Sequence, residues 1–346
     1  MKRKKNRVPV IIVALLGALS FWLIINSKKG TIKETLRDFA VEDTAAITKI
    51  FLADKSNKSI TLERQPSGTW LVNGKFIARR DAIQTLLYTI KKVDVKELVG
   101  KKAQDAIVMR LSGSSVKCEI YQGDKLVKAY YVGTETQDQT GTYMILIDPE
   151  TMKPSAKPFV TYIPGFEGYL TTRYFTTEKG WRDISVFNYH PDFIKSIRLE
   201  IPFDPALGYE VTVKGTNDYE VKSFKDQKPV ANMDTLAVKQ YLAYFQNLNF
   251  EAFEDQLTEQ QMDSVRRSQP VNILTVTDKD GKSSTVKFFA KQPKTPGQKD
   301  VNGNEIPFDQ ERMNALLNDS KDLVIVQYYV FGKVMPPVQY FQKRKP

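Results

Sequence analysis

The body of the chain contains an internal repeat, and this repeat constrains the fold more than any other feature. Arg37-Asp38 precedes an Ile-x-x-Ile-x-Leu string at residues 47–52, and Arg182-Asp183 precedes the same string at residues 194–199. Further apolar matches follow in the same order: residues 60–62 with 211–213, 70–72 with 219–221 and 87–98 with 242–253. An ordered series of matches with small changes in spacing indicates a duplicated unit with insertions in its loops.

Each copy has the pattern of an α+β unit with an antiparallel sheet and one main helix. Apolar and charged residues alternate over positions 116–120, which is typical of a strand with one buried face. Asn73-Gly74 predicts a hairpin turn, and Asp81 is placed to cap a helix that carries Ile83, Leu86 and Ile90. The predicted strands of the first copy cover residues 50–52, 59–64, 69–72, 107–111, 116–121, 127–132 and 143–147. The second copy is predicted to have a helix at 233–248 and strands at 271–277, 285–290 and 323–329.

An uncharged apolar segment near the N-terminus predicts a membrane anchor. Residues 8–25 follow five basic residues and precede Lys28 and Lys29. A run of this length is about the minimum for a spanning helix, and the excess of basic residues before it predicts a cytoplasmic N-terminus. We therefore expect a single-pass inner-membrane protein with a transmembrane helix at residues 8–26 and a periplasmic body. A signal peptide cut after Ser20 is the alternative, whereas a lipoprotein would need a Cys at the end of the run, and the only Cys is Cys118.

Most of the net charge of +11 belongs to the two ends of the chain. Five basic residues precede the apolar segment, two follow it and three lie at positions 343–345, so the rest of the chain is nearly neutral. A neutral body lacks the basic face that binding to a phosphate backbone requires, which argues against a nucleic-acid partner. One Cys and one His also exclude an internal disulfide and a Cys- or His-rich metal site.

Proline and glycine content defines the predicted organisation. The segments are a cytoplasmic arm (1–7), a transmembrane helix (8–26), a linker (27–36), the first α+β repeat (37–148), a connector (149–180), the second α+β repeat (181–331) and a basic tail (332–346). A long loop at residues 291–307 contains three prolines and two glycines. Loops of this length in a compact domain are functional or mobile.

Two short motifs resemble phosphate and calcium loops but fail on spacing. Gly281-Lys282-Ser283 lacks the earlier glycine of a phosphate-binding loop, because that position is Val276. The string that begins at Asp278 lacks the ligand spacing and the terminal Glu of a calcium loop. Asp280-Gly281 between two apolar runs is better explained as a hairpin turn.

The remaining candidates also favour structural roles. His190 is expected in an exposed loop, and Cys118 is expected to be a small core residue of a strand. The Arg37-Asp38 and Arg182-Asp183 pairs are interpreted as anchors at the start of each unit. Four carboxylates could pair in space, although their spacing does not show it: Glu63, Asp81, Asp183 and Glu254. The sequence therefore assigns no catalytic, cofactor-binding or metal-binding residue, and it predicts neither an enzyme nor a cofactor.

Aromatic residues cluster in and after the connector. An exposed aromatic strip would mark a partner surface, but packing between the two units is the favoured interpretation. The residues are Phe159, Tyr162, Phe166, Tyr169, Tyr174 and Phe175.

The repeat residues resemble a known bacterial family. The Arg-Asp entry, the string at residues 42–52 and Gly68-Thr69-Trp70 before a short amphipathic helix are similar to the domain-of-unknown-function family 4340, over about residues 36–330. The resemblance implies an anchored envelope protein of the Bacteroidota type, related to auxiliary subunits of gliding-type ABC transporters. It implies no catalytic residue.

These observations together predict a non-catalytic, membrane-anchored periplasmic adaptor or scaffold. Its expected partner is another envelope membrane protein of a transport, secretion or motility assembly, and protein–protein interaction is its expected activity. Recognition of an envelope glycan or lipid in a cleft between the repeats is the alternative, followed by a carboxylate-based hydrolase.

Overall fold

The computed structural model describes residues 15–17, 20, 37–295, 297–318 and 320–343. The chain divides into two compact units, with the boundary between Asp183 and Ile184. Each unit is built around its own antiparallel sheet and its own buried apolar core.

The first unit contains a nine-stranded antiparallel sheet. Its strands are β1 (Lys49–Ala53), β2 (Ser59–Arg64), β3 (Trp70–Val72), β4 (Phe76–Ile77), β5 (Asp94–Leu98), β6 (Val116–Gln122), β7 (Lys125–Glu135), β8 (Thr142–Ile147) and β9 (Phe159–Tyr162). Their order in the sheet is β4-β3-β2-β1-β6-β7-β8-β9-β5. The predicted turn after β3 is confirmed, because Asn73 and Gly74 have φ angles of 51° and 66° and connect β3 to β4.

Helices cover both faces of the first sheet. Helix α1 (Arg80–Lys92) buries Ile83, Leu86 and Ile90 in the main core, as their spacing predicts. Helix α2 (Lys101–Gly113) packs Ile107 and Leu111 on the opposite face, and α3 (Glu178–Trp181) is a single turn. Asp81 does not cap α1, because the helix begins one residue before it.

The prediction of a strand at residues 107–111 is wrong, because these residues form the last turns of α2. Ile107 and Leu111 are four residues apart, which places both on one side of a helix. They contact a small outer cluster that includes Ile145 and Val160 of the sheet.

The second unit contains an eight-stranded and a two-stranded sheet. Its strands are β10 (Ser185–Phe187), β11 (Ile194–Glu200), β12 (Tyr209–Gly215), β13 (Asp218–Ser223), β14 (Leu248–Asn249), β15 (Ala252–Phe253), β16 (Asn272–Asp278), β17 (Ser283–Ala290), β18 (Arg312–Leu317) and β19 (Leu323–Gln327). Strands β10 and β14 pair with each other, and the larger sheet has the order β13-β12-β11-β16-β17-β18-β19-β15. The helices are α4 (Thr235–Ala243), α5 (Glu259–Arg267) and α6 (Tyr328–Phe331).

The two large sheets share one strand order. If β1–β3 are matched with β11–β13, and β5–β9 with β15–β19, neighbouring strands in one sheet are neighbours in the other. Helices α1 and α4 occupy the same place in chain order, and so do α2 and α5. Equivalent connections in the two units can therefore be compared directly.

The predicted fold class, with a transmembrane helix and one main helix per α+β unit, is wrong. Antiparallel sheet dominates the described residues, the longest helices have 13 residues, and each unit carries two helices of nine or more residues. The sequence pattern did not predict α2, because a short apolar run is compatible with either a helix or a buried strand.

Within the part of the chain that the structure describes, no helix is long and apolar enough to cross a membrane. This finding contradicts the prediction of a single-pass inner-membrane protein with a periplasmic body. Of the predicted span at residues 8–26, only 15–17 and 20 belong to the described residues.

Two segments predicted to be irregular contribute to the cores. Residues 149–180 include β9 and the buried side chains of Phe159 and Tyr174 in the first core. Residues 332–346 include Val334 and Phe341, which are fully buried in the second core.

Candidate functional site

The connection between β11 and β12 forms an exposed apolar surface of the second unit. Residues 201–208 have the sequence IPFDPALG, and they place Phe203 at 66% and Leu207 at 49% exposure. A groove of about 450 Å³ opens beside them. It is lined by Arg198, Glu200, Ile201, Pro202, Pro205, Ala206, Phe224 and Gln227. We call residues 201–208 the apolar loop and the cavity the apolar groove.

Backbone hydrogen bonds fix the shape of the apolar loop. The amide of Asp204 donates to the carbonyl of Ile201 at 3.0 Å, and the amide of Leu207 donates to the carbonyl of Asp204 at 3.0 Å. Proline fixes φ at positions 202 and 205, which lowers the entropy cost of ordering the loop. The loop therefore presents Phe203 and Leu207 from a defined backbone.

Gly208 joins the apolar loop to the wall of the groove. A Cβ atom at this position would lie 2.5 Å from Cδ2 of Phe224 and 2.8 Å from the carbonyl oxygen of Leu199. The amide of Phe224 also donates to the carbonyl of Gly208 at 3.0 Å. Only glycine allows the Phe224 ring to approach the backbone this closely.

One guanidinium at the edge of the groove is shared by two carboxylates. The Arg198 side chain stacks on the Phe224 ring at 4.5 Å. Its Nε lies 3.1 Å from Oε1 of Glu200, and its Nη1 lies 3.9 Å from Oε2 of Glu210. All three side chains are partly exposed, so this network organises the surface more than it stabilises the fold. Its three charges sum to one negative charge.

The equivalent connection of the first unit is a polar turn. Residues 54–58 join β1 to β2 in five residues, and all five are polar or charged. Asp54 Oδ1 accepts hydrogen bonds from the amides of Ser56 and Lys58 at 2.8 and 3.0 Å. Ile201 of the apolar loop packs against the second core. Because the equivalent strand pair is closed here by a short polar turn, the fold does not require the exposed side chains of Phe203 and Leu207.

The thiol and the imidazole occupy the environments that the sequence predicts. Cys118 is fully buried in the first core, and its burial raises the pKa of the thiol to about 12. His190 is exposed at the start of a short turn, where its Nδ1 accepts the amide of Asp192 at 3.4 Å. Asp280-Gly281 forms the predicted hairpin turn between β16 and β17, with Gly281 at a φ of 83°.

Of the four predicted carboxylates, Asp81 and Asp183 both interact with the charge of Arg79, whereas Glu63 and Glu254 lie in different units. Glu63 lies on β2, Asp81 pairs with Arg79 at 2.6 Å, and the amide of Asp183 donates to the carbonyl of Ile77. Glu254 is buried in the second unit and forms an ion pair with Lys291. Among the described residues, no group of three or more His, Cys, Asp or Glu side chains is placed to hold a metal ion.

The Arg-Asp pairs contact neighbouring elements of the first unit. Asp38 forms an ion pair with Lys128 at 2.8 Å, and the Arg182 guanidinium stacks on Phe76 at 3.8 Å. Of the predicted aromatic cluster, Phe159 and Tyr174 are buried in the first core, whereas Phe166 is partly exposed beneath Arg173.

The family model for a domain of unknown function, DUF4340, matches residues 70–270, which is more than half of the chain. The chain belongs to the DUF4340 family. The matched region includes the apolar loop of this DUF4340 protein and ends before the long loop at residues 291–307. No curated protein and no solved structure matches the chain.

Sequence reasoning missed the apolar loop, although one signal was present. The strings at 47–52 and 194–199 match, and so do those at 60–62 and 211–213, but the spacing between them is longer in the second copy. This longer spacing, together with the apolar residues that fill it, indicates that the second copy has an apolar connection where the first copy has a polar turn.

Proposed function

We propose that this DUF4340 protein is a non-catalytic adaptor that binds another protein through the apolar groove of its second unit. The observation that carries the proposal is the exposed apolar loop, which stands where the related first unit has a polar turn. An exposed feature that the fold does not require is best explained by a partner that covers it.

The side chains of the apolar loop are suited to anchor a complex. Burying a Phe or Leu side chain contributes about 1.5–3 kcal/mol, and a few such residues dominate most interfaces. Phe203 and Leu207 are exposed on an ordered backbone, so little conformational entropy remains to be lost on binding.

The partner is proposed to present an apolar side chain next to a basic residue. The apolar side chain would enter the groove between Pro205 and Phe224. The basic residue would face Glu200 and Glu210, which share the single guanidinium of Arg198. A basic residue of the partner at this rim would speed its association with the groove and fix its orientation there.

We also propose the finer relationships that the family resemblance implies. A relation to Bacteroidota members and to auxiliary subunits of gliding-type ABC transporters would make the partner a component of a multi-protein assembly. The DUF4340 match supports the family alone.

Site-specific photo-crosslinking in the native cells tests the proposal. A photoreactive phenylalanine analogue is placed at position 203 or 207, and at positions 55 and 56 of the polar turn as matched controls. We expect one heterologous adduct that forms from both positions of the apolar loop and from neither control. The adduct protein, once purified, should bind the full chain. Equal adducts from all four positions, an adduct with a second copy of this chain, or no adduct would contradict the proposal.

A further inference from the structure

A second cavity lies beside the long loop of the second unit. It has a volume of about 290 Å³. Its lining consists of Pro293, Lys294, Gln298, Ile306, Phe308, Asp309, Gln310, Glu311 and Arg312. We call it the loop pocket. It is formed within the second unit and is separate from the apolar groove in its residues.

The loop pocket is built by an insertion. The connection between β17 and β18 covers residues 291–311, whereas the equivalent connection between β7 and β8 covers only residues 136–141. The inserted chain is ordered by its own hydrogen bonds: the amide of Ile306 donates to the carbonyl of Gln298 at 2.7 Å, and Asp300 Oδ1 accepts the amides of Asn302 and Asn304 at 2.8 Å. The first unit joins the equivalent strands, β7 and β8, by a much shorter segment.

The guanidinium in the pocket wall is engaged by two carboxylates. Arg312 donates from Nε to Oε2 of Glu251 at 2.9 Å and from Nη2 to Oε1 of Glu251 at 3.1 Å. Its Nη1 donates to Oε2 of Glu311 at 2.9 Å. A bound anion would have to compete with two carboxylates for the same N–H groups. This competition disfavours phosphate and carboxylate ligands at the guanidinium.

Two acceptor oxygens of the lining remain beside the polar side chains of Lys294 and Gln298. Asp309 is buried, and its Oδ1 accepts the amides of Glu311 and Arg312 at 2.8 and 3.0 Å, which leaves Oδ2 without a hydrogen-bond donor among the described residues. Gln310 donates from Nε2 to the carbonyl of Phe308 at 3.0 Å, which leaves its Oε1 as an acceptor. Such oxygens accept hydrogen bonds from hydroxyl groups.

Part of the pocket lining is apolar and includes an exposed ring. Phe308 is 47% exposed, and Ile306 and Pro293 line the pocket with it. An aromatic face packs well against the C–H groups on one side of a pyranose ring. A pocket with apolar walls and a few directed polar groups is typical of a small-ligand site.

We propose that the loop pocket binds a neutral saccharide unit, with Phe308 against the apolar face of the sugar and with Asp309 and Gln310 accepting hydrogen bonds from its hydroxyl groups. The charges of Lys294, Arg312, Asp309 and Glu311 cancel within the lining, which suits a ligand without net charge. This inference does not depend on the adaptor function of the apolar groove.

Saturation-transfer NMR on the full chain tests the proposal. The probes are glucose, galactose and N-acetylglucosamine at millimolar concentration, with glucose 6-phosphate as the anionic match. We expect transfer to the ring protons of at least one neutral sugar, and weaker transfer to the phosphorylated one. The signal should be lost in Phe308→Ala, kept in Phe308→Tyr, and unchanged in Tyr88→Ala, which removes an exposed aromatic ring of the first unit.

Asp309→Asn provides a second, isosteric variant. The amide oxygen can still accept the two backbone amides, while the acceptor at Oδ2 becomes a donor, so the loop should stay folded and sugar binding should fall by about tenfold. No transfer to any neutral sugar, stronger binding of glucose 6-phosphate, or a signal unaffected by Phe308→Ala and Asp309→Asn would overturn the proposal.

Discussion

Two buried ionisable residues show how single side chains are accommodated in the cores. Cys118 has no cationic partner in the first core, so burial favours the neutral thiol and raises its pKa to about 12. Glu254 is equally buried, but it keeps its charge balanced by an ion pair with Lys291 and accepts the amide of Gln256. Each arrangement leads to a measurable consequence.

Cys118 should not react with thiol reagents in the folded protein. Its pKa of about 12, against an ordinary value of 9.0, lowers the thiolate population near pH 8 by roughly a thousandfold, and the side chain is also inaccessible. We expect labelling by an aromatic disulfide reagent only at urea concentrations that open the first unit. Because Cys118 is the single thiol of the chain, rapid labelling without urea would contradict its assignment to the core.

The raised pKa of Cys118 also predicts a pH dependence of stability. The contribution of the neutral thiol is fully present below the unfolded pKa near 9 and is lost as the pH rises toward 12. Urea unfolding at pH 8 and pH 10 should therefore show a larger loss of stability for the wild type than for Cys118→Ala. An equal loss in both proteins would show that the thiol does not contribute.

Breaking the Glu254–Lys291 ion pair from one side should be strongly destabilising. Lys291→Met leaves a buried carboxylate without its cation, which costs about 3–5 kcal/mol, and adding Glu254→Leu should restore much of the loss. The control is Lys214→Met, which breaks the exposed Lys214–Glu220 pair and should cost less than about 1 kcal/mol. Similar free energies of unfolding for both single variants would contradict the assignment.

At the scale of elements, helix α2 depends on a glycine of the strand beneath it. A Cβ atom at Gly133 on β7 would lie 2.2 Å from Cδ2 of Leu111 and 2.9 Å from the carbonyl oxygen of Tyr143. The absence of a side chain at this position lets the helix approach the sheet and bury Leu111.

Gly133→Ala should therefore destabilise the first unit by about 1–3 kcal/mol, because the helix must shift or the Leu111 side chain must leave its rotamer. Gly113→Ala is the matched control, since an added Cβ there meets no atom within 4 Å. Urea unfolding followed by circular dichroism distinguishes the two variants. Equal unfolding midpoints would mean that α2 does not pack as described.

Elements with a clear period could be predicted, and short ambiguous runs could not. The spacing of Ile83, Leu86 and Ile90 predicts α1, and Asn73-Gly74 predicts the turn that follows β3. The apolar run at 107–111 fits a strand equally well, and only its packing against Ile145 and Val160 decides for a helix. The apolar loop could not be predicted from the sequence, because the exposure of Phe203 and Leu207 is set by the fold.

At the scale of the whole molecule, one strand order is used twice with different connections. The connection between β1 and β2 has 5 residues, and its equivalent between β11 and β12 has 8. The connection between β7 and β8 has 6 residues, and its equivalent between β17 and β18 has 21. The matching strings at 47–52 and 194–199 made the repeat visible in the sequence, since core positions of strands are constrained by packing. Connections face solvent, so they can change chemistry while the sheet keeps its order.

In the proposed function, the exposed side chains of the apolar loop serve a partner and not the fold. The most direct test replaces the two exposed side chains of the apolar loop, as Phe203→Ser together with Leu207→Ser, which leaves Ile201 and Gly208 in place. It measures both the free energy of unfolding and the affinity for the partner identified by crosslinking. We predict a change in stability within about 1 kcal/mol and an affinity weaker by about tenfold or more. A folded variant that binds the partner as tightly as the wild type would contradict the account.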